Sequence, residues 1–197
     1  MSNHFRNIIS TNTIENAPKY HLVIRYIINR IRTLIILNFK YPWIKSAGFL
    51  RIPFSVEIWS PNKSITLGNK VQFGKNCLVQ CDLDVGNDVL IARNVSFIGR
   101  NDHSFNTHSL TIWDSPRGEN LKVTVGNDCW IGHGAIILAG VKIEDGSIVA
   151  AGSLVNKDIQ ACTIYAGVPA KKIKDRFETS EEKEKHLAYL DKIYFSI

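Results

Sequence analysis

The 197-residue sequence predicts a mainly β chain wound as a parallel β-helix, and three observations carry that prediction. Every sixth residue from Leu67 is apolar (Leu67, Phe73, Val79, Val85, Ile91, Phe97), and the rhythm resumes at Val125, Ile131, Ile137, Ile143, Val149 and Val155. Glycine follows the apolar residue at Gly68, Gly74, Gly86, Gly126 and Gly132. The fifth position of each hexad is mostly small or β-branched, as at Val71, Cys77, Val95, Cys129, Ala135 and Ser147. A period of six fits neither an amphipathic helix nor a half-buried open sheet. It fits a three-sided prism with one hexad to a face, the apolar residue pointing inward and the small one sitting near a corner. Glycine tolerates the backbone angles a corner demands. Eighteen residues then close one turn, and successive turns stack as parallel strands. A β-sandwich would show turn signals about every 8–12 residues, and those are absent.

Composition sets the frame. With 45% hydrophobic and 21% charged residues, the chain supports one globular domain with a real core and excludes disordered and collagen-like classes. No run of about 20 apolar residues is free of charge, so no spanning helix is expected. Met1 to Pro18 shows no apolar stretch ahead of a small-residue cleavage site, which points to a cytoplasmic chain without a secretory signal. Cys77, Cys81, Cys129 and Cys162 at irregular spacing fit reduced, buried thiols rather than a disulfide framework.

Three stretches differ in charge and periodicity. Residues 1–59 form an N-terminal helical and capping segment, with eight Lys/Arg against two acids. Residues 60–166 form the β-helix with a loop over 101–122, with nine basic residues against ten acidic. Residues 167–197 form a C-terminal tail and helix, with seven against six. A nucleic-acid binder spreads basic charge along a face with interleaved aromatics, and this chain does not. A short basic segment ahead of a neutral body is the pattern of a membrane-surface or anion-docking element.

Within the first stretch, residues 21–37 plot as an amphipathic helix. Val23, Ile24, Ile27, Ile28, Ile31, Leu34 and Ile35 fall on one arc of about 140°. Two readings follow: a lid whose aliphatic arc covers the open first coil, or a peripheral membrane helix lying apolar face down at the inner membrane. The lid is the expected one, because an exposed patch of that size is uncommon on a soluble protein.

In the second stretch the period breaks. From Phe97 to Val125 is 28 residues, four more than a multiple of six, so the chain must leave the prism. The expelled segment is polar and rich in turn residues, and loops on rigid scaffolds tend to carry function. His103, six residues after Phe97, is the candidate base. An acyl transfer to a hydroxyl needs a group that takes the proton as attack begins, and imidazole titrates in the right range. His108 is its rival, and Asp102 a candidate to orient it. Trp113, inside the loop, is a candidate to stack on a sugar ring. In the third stretch, Thr179 and Glu182 stand at capping-box spacing and predict a helix that packs against a subunit.

The run from Val125 to Val141 (VGNDCWIGHGAIILAGV), with Val149 to Val155 and Ala166 to Lys171, resembles the hexapeptide-repeat acyltransferases. It is most similar to the maltose/galactoside, nodulation and xenobiotic acetyltransferases and the polysaccharide O-acetyltransferases. The resemblance covers about residues 60–176 and is specific for the superfamily rather than the acceptor. It implies a left-handed coil, a homotrimer, and direct transfer of acetyl from acetyl-CoA with His103 as general base. It also implies CoA contacts at His133, Ala151, Lys157, Lys171 and Lys174, and an acidic acceptor contact at Asp82. Gly132-His133-Gly134 resembles the zinc turn of the γ-class carbonic anhydrases. The second His of that motif is replaced by Leu138 and the upstream His is missing, so no metal is expected. The function implied is O-acetylation of a sugar hydroxyl of a surface polysaccharide or its precursor. The alternatives are N-acetylation of a nucleotide-linked amino sugar and xenobiotic acetylation. The non-enzyme alternative, a β-helix scaffold, leaves the loop and the basic edge unexplained.

Overall fold

The computed structural model describes residues 19–195. Residues 1–18, which bear on the leader expectation, lie outside them. The chain winds about six turns of parallel β-solenoid between two helices. Face I stacks β1 (Lys45–Ser46), β4 (Ile65–Leu67), β7 (Asp82–Val85), β10 (Lys122–Val125) and β13 (Lys142–Ile143). Face II stacks β2 (Leu50–Arg51), β5 (Val71–Phe73), β8 (Leu90–Ile91), β11 (Trp130–Ile131), β14 (Ile148–Val149) and β16 (Thr163–Gly167), and ends in antiparallel β17 (Ala170–Asp175). Face III stacks β3 (Glu57–Ile58), β6 (Leu78–Val79), β9 (Ser96–Ile98), β12 (Ile136–Leu138) and β15 (Leu154–Val155). All twelve hexad positions are at most 4% exposed and fill the interior.

The glycines of the repeat work differently from the sequence expectation. They do not adopt left-handed backbone; an added Cβ at Gly132 would press on the Ala151 amide of the next coil, so glycine is there for close approach. Positive φ falls instead one station per corner: Lys70, Asp88, Asp128 and Gly146 where face I turns into face II, and Asn76, Asn94, Gly134 and Gly152 where II turns into III. Asn, Asp and Gly suit that region best. At corner I/II a side-chain ladder ties the coils. Asn87 Oδ1 accepts from the Asn69 amide at 2.8 Å, Asn127 Oδ1 from the Asn87 amide at 2.8 Å, and Asp145 Oδ1 from the Asn127 amide at 2.6 Å.

Corner III/I is where the regularity fails, twice. Regular coils pair residues 18 apart, as Ile65 with Leu83. Glu57 pairs Leu78, 21 apart, so the Trp59–Ser64 turn holds three extra residues. Leu83 pairs Val123, 40 apart, so 22 extra residues leave the prism between β9 and β10. The loop therefore occupies residues 99–121, slightly earlier than expected.

The first helix, α1 (Lys19–Ile35), lies on the first coil, but the expectation that its aliphatic arc makes that contact is corrected. Tyr26 stacks on Phe49 (centroids 5.4 Å apart), Thr33 Oγ1 donates to the Leu50 carbonyl at 3.0 Å, and Asn29 is buried. The arc faces away: Ile24, Ile27, Ile28, Ile31, Leu34 and Ile35 are 41–55% exposed. The plug of the prism comes just after the helix. Ile36 and Ile44 are buried in the core cluster, and Leu37, Tyr41 and Trp43 pack on it. The wide turn Ile36–Lys40 makes this entry, closed by the Tyr41 amide donating to the Ile36 carbonyl at 2.8 Å.

The second helix, α2 (Ser180–Phe195), opens with the expected capping box. The Glu182 amide donates to Thr179 Oγ1 at 3.2 Å, and Glu182 Oε2 accepts from the Thr179 amide at 3.1 Å. It folds back on its own chain, where His186 and Arg176 meet Asp128 at 2.9 and 2.6 Å.

Candidate active site

The expelled loop is held as a narrow hairpin. The Gly118 amide donates to the Asn101 carbonyl and the Ser104 amide to the Pro116 carbonyl, each at 3.0 Å. A Cβ at Gly118 would collide with the Asn101 carbonyl, so only glycine allows this approach. At the loop root, Arg100 donates to the carbonyl of Asn156. Inside the loop, Thr111 Oγ1 bonds Asp114 at 2.6 Å and buried Ser115 donates to the Thr111 carbonyl at 2.8 Å. These bonds fix a loop that has almost no apolar core of its own.

The hairpin encloses a cavity of about 200 Å³ lined by Trp59, Gln80, Asp102, His103, Arg117, Gly118 and Asn120. Trp59 and Gln80 occupy one station in successive coils, their amides donating to Val79 and Phe97 at 2.8 and 2.7 Å. His103 is exposed, and no hydrogen bond or ion pair engages its ring among the described residues. No hydrogen bond joins Asp102 to His103; the Asp102 carboxylate instead lies over Gly99, where a Cβ would strike it. His108 and Trp113 do not line the cavity, and Trp113 is 88% exposed. The aromatic in the cavity is Trp59, which precedes the first hexad and carried no periodic signal.

Asp82 stands apart from the cavity residues. It is buried and outside the cavity, and its carboxylate accepts from Ser60, from the Asn62 amide at 3.3 Å and from Asn62 Nδ2 at 2.7 Å. Burial would raise its pKa, but the hydrogen bonds from Ser60 and Asn62 outweigh burial and hold it below the usual carboxylate value. These bonds pin the extra turn that carries Trp59. The Asp82 carboxylate is thus engaged by Ser60 and Asn62 of its own chain. Cys81, beneath the site, is pushed up to about 12 by burial, with the charges of Asp82 and Asp102 adding to it. A thiol so placed stays protonated and is a poor nucleophile.

The residues assigned to CoA fall on more than one edge of the prism. His133 and Ala151 sit on corner II/III, with His133 Nε2 3.5 Å from Asn94 Nδ2. Lys157 follows β15 on corner III/I, the edge that carries the loop. Lys171 and Lys174 lie on β17, opposite Ala166 and Ile164 at the end of face II. None of these three lysines has an ion pair among the described residues, whereas Lys172 is paired with Asp175 at 2.8 Å. Among the described residues no group of three or more His, Cys, Asp or Glu is placed to hold a metal ion.

Comparison with known proteins agrees with this architecture. Residues 122–157 match the family model described as bacterial transferase hexapeptide (six repeats). A probable macrolide acetyltransferase of Lysinibacillus sphaericus is 35% identical over 131 residues, which is 64% of this chain and 69% of that protein. The chain belongs to the hexapeptide-repeat transferase family. Another member, the galactoside O-acetyltransferase of Escherichia coli (strain K12), is 30% identical over 141 residues. That alignment covers 66% of this chain and 64% of the galactoside enzyme, less than two thirds of its length. Among solved folds of the family, a galactoside acetyltransferase in complex with coenzyme A superposes with a TM-score of 0.57 at 24% identity, covering 84% of this chain and 74% of that one.

Proposed function

We propose that the protein is an acetyl-CoA-dependent O-acetyltransferase acting on a sugar hydroxyl, of a bacterial surface polysaccharide or its precursor. The observation that carries this reading is His103, an unengaged imidazole on the wall of a polar cavity beside an indole, two amides and a guanidinium. Trp59 offers an aromatic face to the apolar side of a sugar ring, and Gln80 and Asn120 offer donors and acceptors to its hydroxyls. His103 takes the proton of the acceptor hydroxyl as that oxygen attacks the thioester carbonyl. The carbon–sulfur bond then breaks, and the imidazolium returns the proton to the departing thiolate. The products are an acetyl ester and free CoA. Direct transfer is supported by the cavity lining, which holds no thiol or hydroxyl nucleophile.

The donor runs, in this reading, past His133 and Ala151 with its phosphates toward Lys157, Lys171 and Lys174. Free cations suit charge-assisted bonds to phosphate. Because His103 and His133 stand on different edges of the prism, a complete site takes the loop edge of one chain and corner II/III of another, as in a closed homotrimer. The loop supports this with exposed Phe105, Leu110, Ile112 and Trp113, apolar surface suited to a neighbouring subunit. Reduced thiols and a CoA donor go with a cytoplasmic setting.

A second reading, acetylation of a xenobiotic hydroxyl, is favoured by the 35% identity to a probable macrolide acetyltransferase. Release of free thiol from acetyl-CoA, measured with oligosaccharide, nucleotide-linked amino sugar and macrolide acceptors, separates the readings. Turnover with oligosaccharides alone is the result expected here; turnover confined to macrolides replaces the first reading with the second.

A further inference from the structure

The outward aliphatic arc of α1 borders a groove of about 580 Å³ that runs between the helix and the first coils. Its cations are Arg25 and Arg32 from α1, Arg51 from β2, and Lys75 and Arg93 from corner II/III. No Asp or Glu lines it. None of the five cations has an ion pair among the described residues; Arg32 reaches Asn29, and Arg51 reaches Gln72 at 3.2 Å. The Nε atoms of Arg32 and Arg51 are buried without a hydrogen-bond partner. Burial first, and the charge of Arg25 second, hold both guanidiniums below their ordinary pKa. So concentrated a set of uncompensated cations is a strained arrangement that an anion relieves.

At 100° per residue, the centre of the aliphatic arc lies almost opposite the strip that packs on the prism, and Arg25 and Arg32 fall on the flank between them. We infer that α1 and this groove form a docking site for an anionic phospholipid surface, the aliphatic arc lying in the acyl boundary and the five cations holding lipid phosphates. A soluble anion would satisfy the cations and leave six large aliphatic side chains in water. A second copy docking by the same face would set five cations against five. An anionic bilayer satisfies both features at once, since binding of such helices adds buried apolar area to attraction for anionic lipid. No helix of the described residues is long and apolar enough to cross a membrane, so the attachment is in the plane of the interface. This inference does not depend on the acetyl-transfer reading.

Flotation of the full chain with vesicles tests it. Phosphatidylcholine vesicles containing phosphatidylglycerol should carry the protein, phosphatidylcholine alone should not, and added salt should release it. The double variant Arg25→Gln/Lys75→Gln should lower partitioning about thirtyfold, on the scale for removing two surface cations. Ile27→Asp/Ile31→Asp, both at exposed positions, should abolish binding while melting temperature and oligomeric state stay as in the parent. Three results overturn the proposal. The protein fails to float with anionic vesicles; it binds inorganic pyrophosphate in the groove yet ignores vesicles; or Ile27→Asp/Ile31→Asp splits an oligomer, which gives the face to a second copy.

Discussion

Asn62 Nδ2 donates to the Asp82 carboxylate at 2.7 Å and so fixes a three-residue insertion to the coil beneath it. That insertion directly follows Trp59, which lines the cavity. Asp82→Ala should cost about 1.5–3 kcal/mol, the range for hydrogen bonds to a charged group. It should also raise the acceptor KM more than it lowers kcat. The folded pKa of Asp82 lies below its unfolded value, so its contribution is present above about pH 4 and is lost as pH falls through the folded value. Urea titrations at neutral and acidic pH should therefore show a smaller acid-induced loss in Asp82→Ala than in the parent.

Gly118→Ala tests the loop hairpin. The new methyl meets the Asn101 carbonyl and pushes the two arms apart, displacing His103 relative to Arg117 and Asn120. A fall in kcat of at least about tenfold is expected, because small displacements of a catalytic group are costly. The melting temperature should hardly change, since the loop lies outside the core. Normal turnover in Gly118→Ala would mean that the hairpin does not position the base.

The orientation of α1 makes a prediction about stability. Ile36→Ala removes a side chain only 1% exposed and should cost about 2–5 kcal/mol. Ile27→Ala and Ile31→Ala, at 49% and 54% exposure, should each stay within about 0.5 kcal/mol. Equal costs at all three positions would return the aliphatic arc to the role of a lid.

Lys157→Ala and Lys171→Ala should raise the KM for acetyl-CoA about tenfold to a hundredfold with little change in kcat, since each removes a phosphate contact far from the reacting carbonyl. A CoA thioester lacking the 3′-phosphate should narrow part of the difference. Unchanged donor KM in either variant takes that lysine out of the site.

The prism was legible because its cause is local and repeated. An inward residue every six positions leaves the same mark in each coil, and the loop shows as a gap in that mark between Phe97 and Val125. The place of His103, the base proposed here, shows in the same mark: it stands where the rhythm ends. Trp59 was not, because its three-residue insertion comes before the first periodic residue and is defined only by pairing with the next coil. By resemblance Asp82 reads in sequence as an acceptor contact, and only the fold brings Ser60 and Asn62 to it. Amphipathicity located the arc of α1 correctly and gave no information on which side meets the prism. That choice rests on Tyr26, Thr33 and Asn29, a polar strip whose partners Phe49 and Leu50 lie beyond the helix.

In the proposed transfer, His103 takes a proton from the acceptor hydroxyl as acetyl moves to it. Free-thiol release from acetyl-CoA, measured for the parent, His103→Ala and His108→Ala with one accepted oligosaccharide, tests it most directly. His103→Ala should lose about 10²- to 10⁴-fold in kcat with an unchanged melting temperature, and His108→Ala should keep parental turnover. Near-parental kcat in His103→Ala, with the loss appearing in His108→Ala, would contradict it.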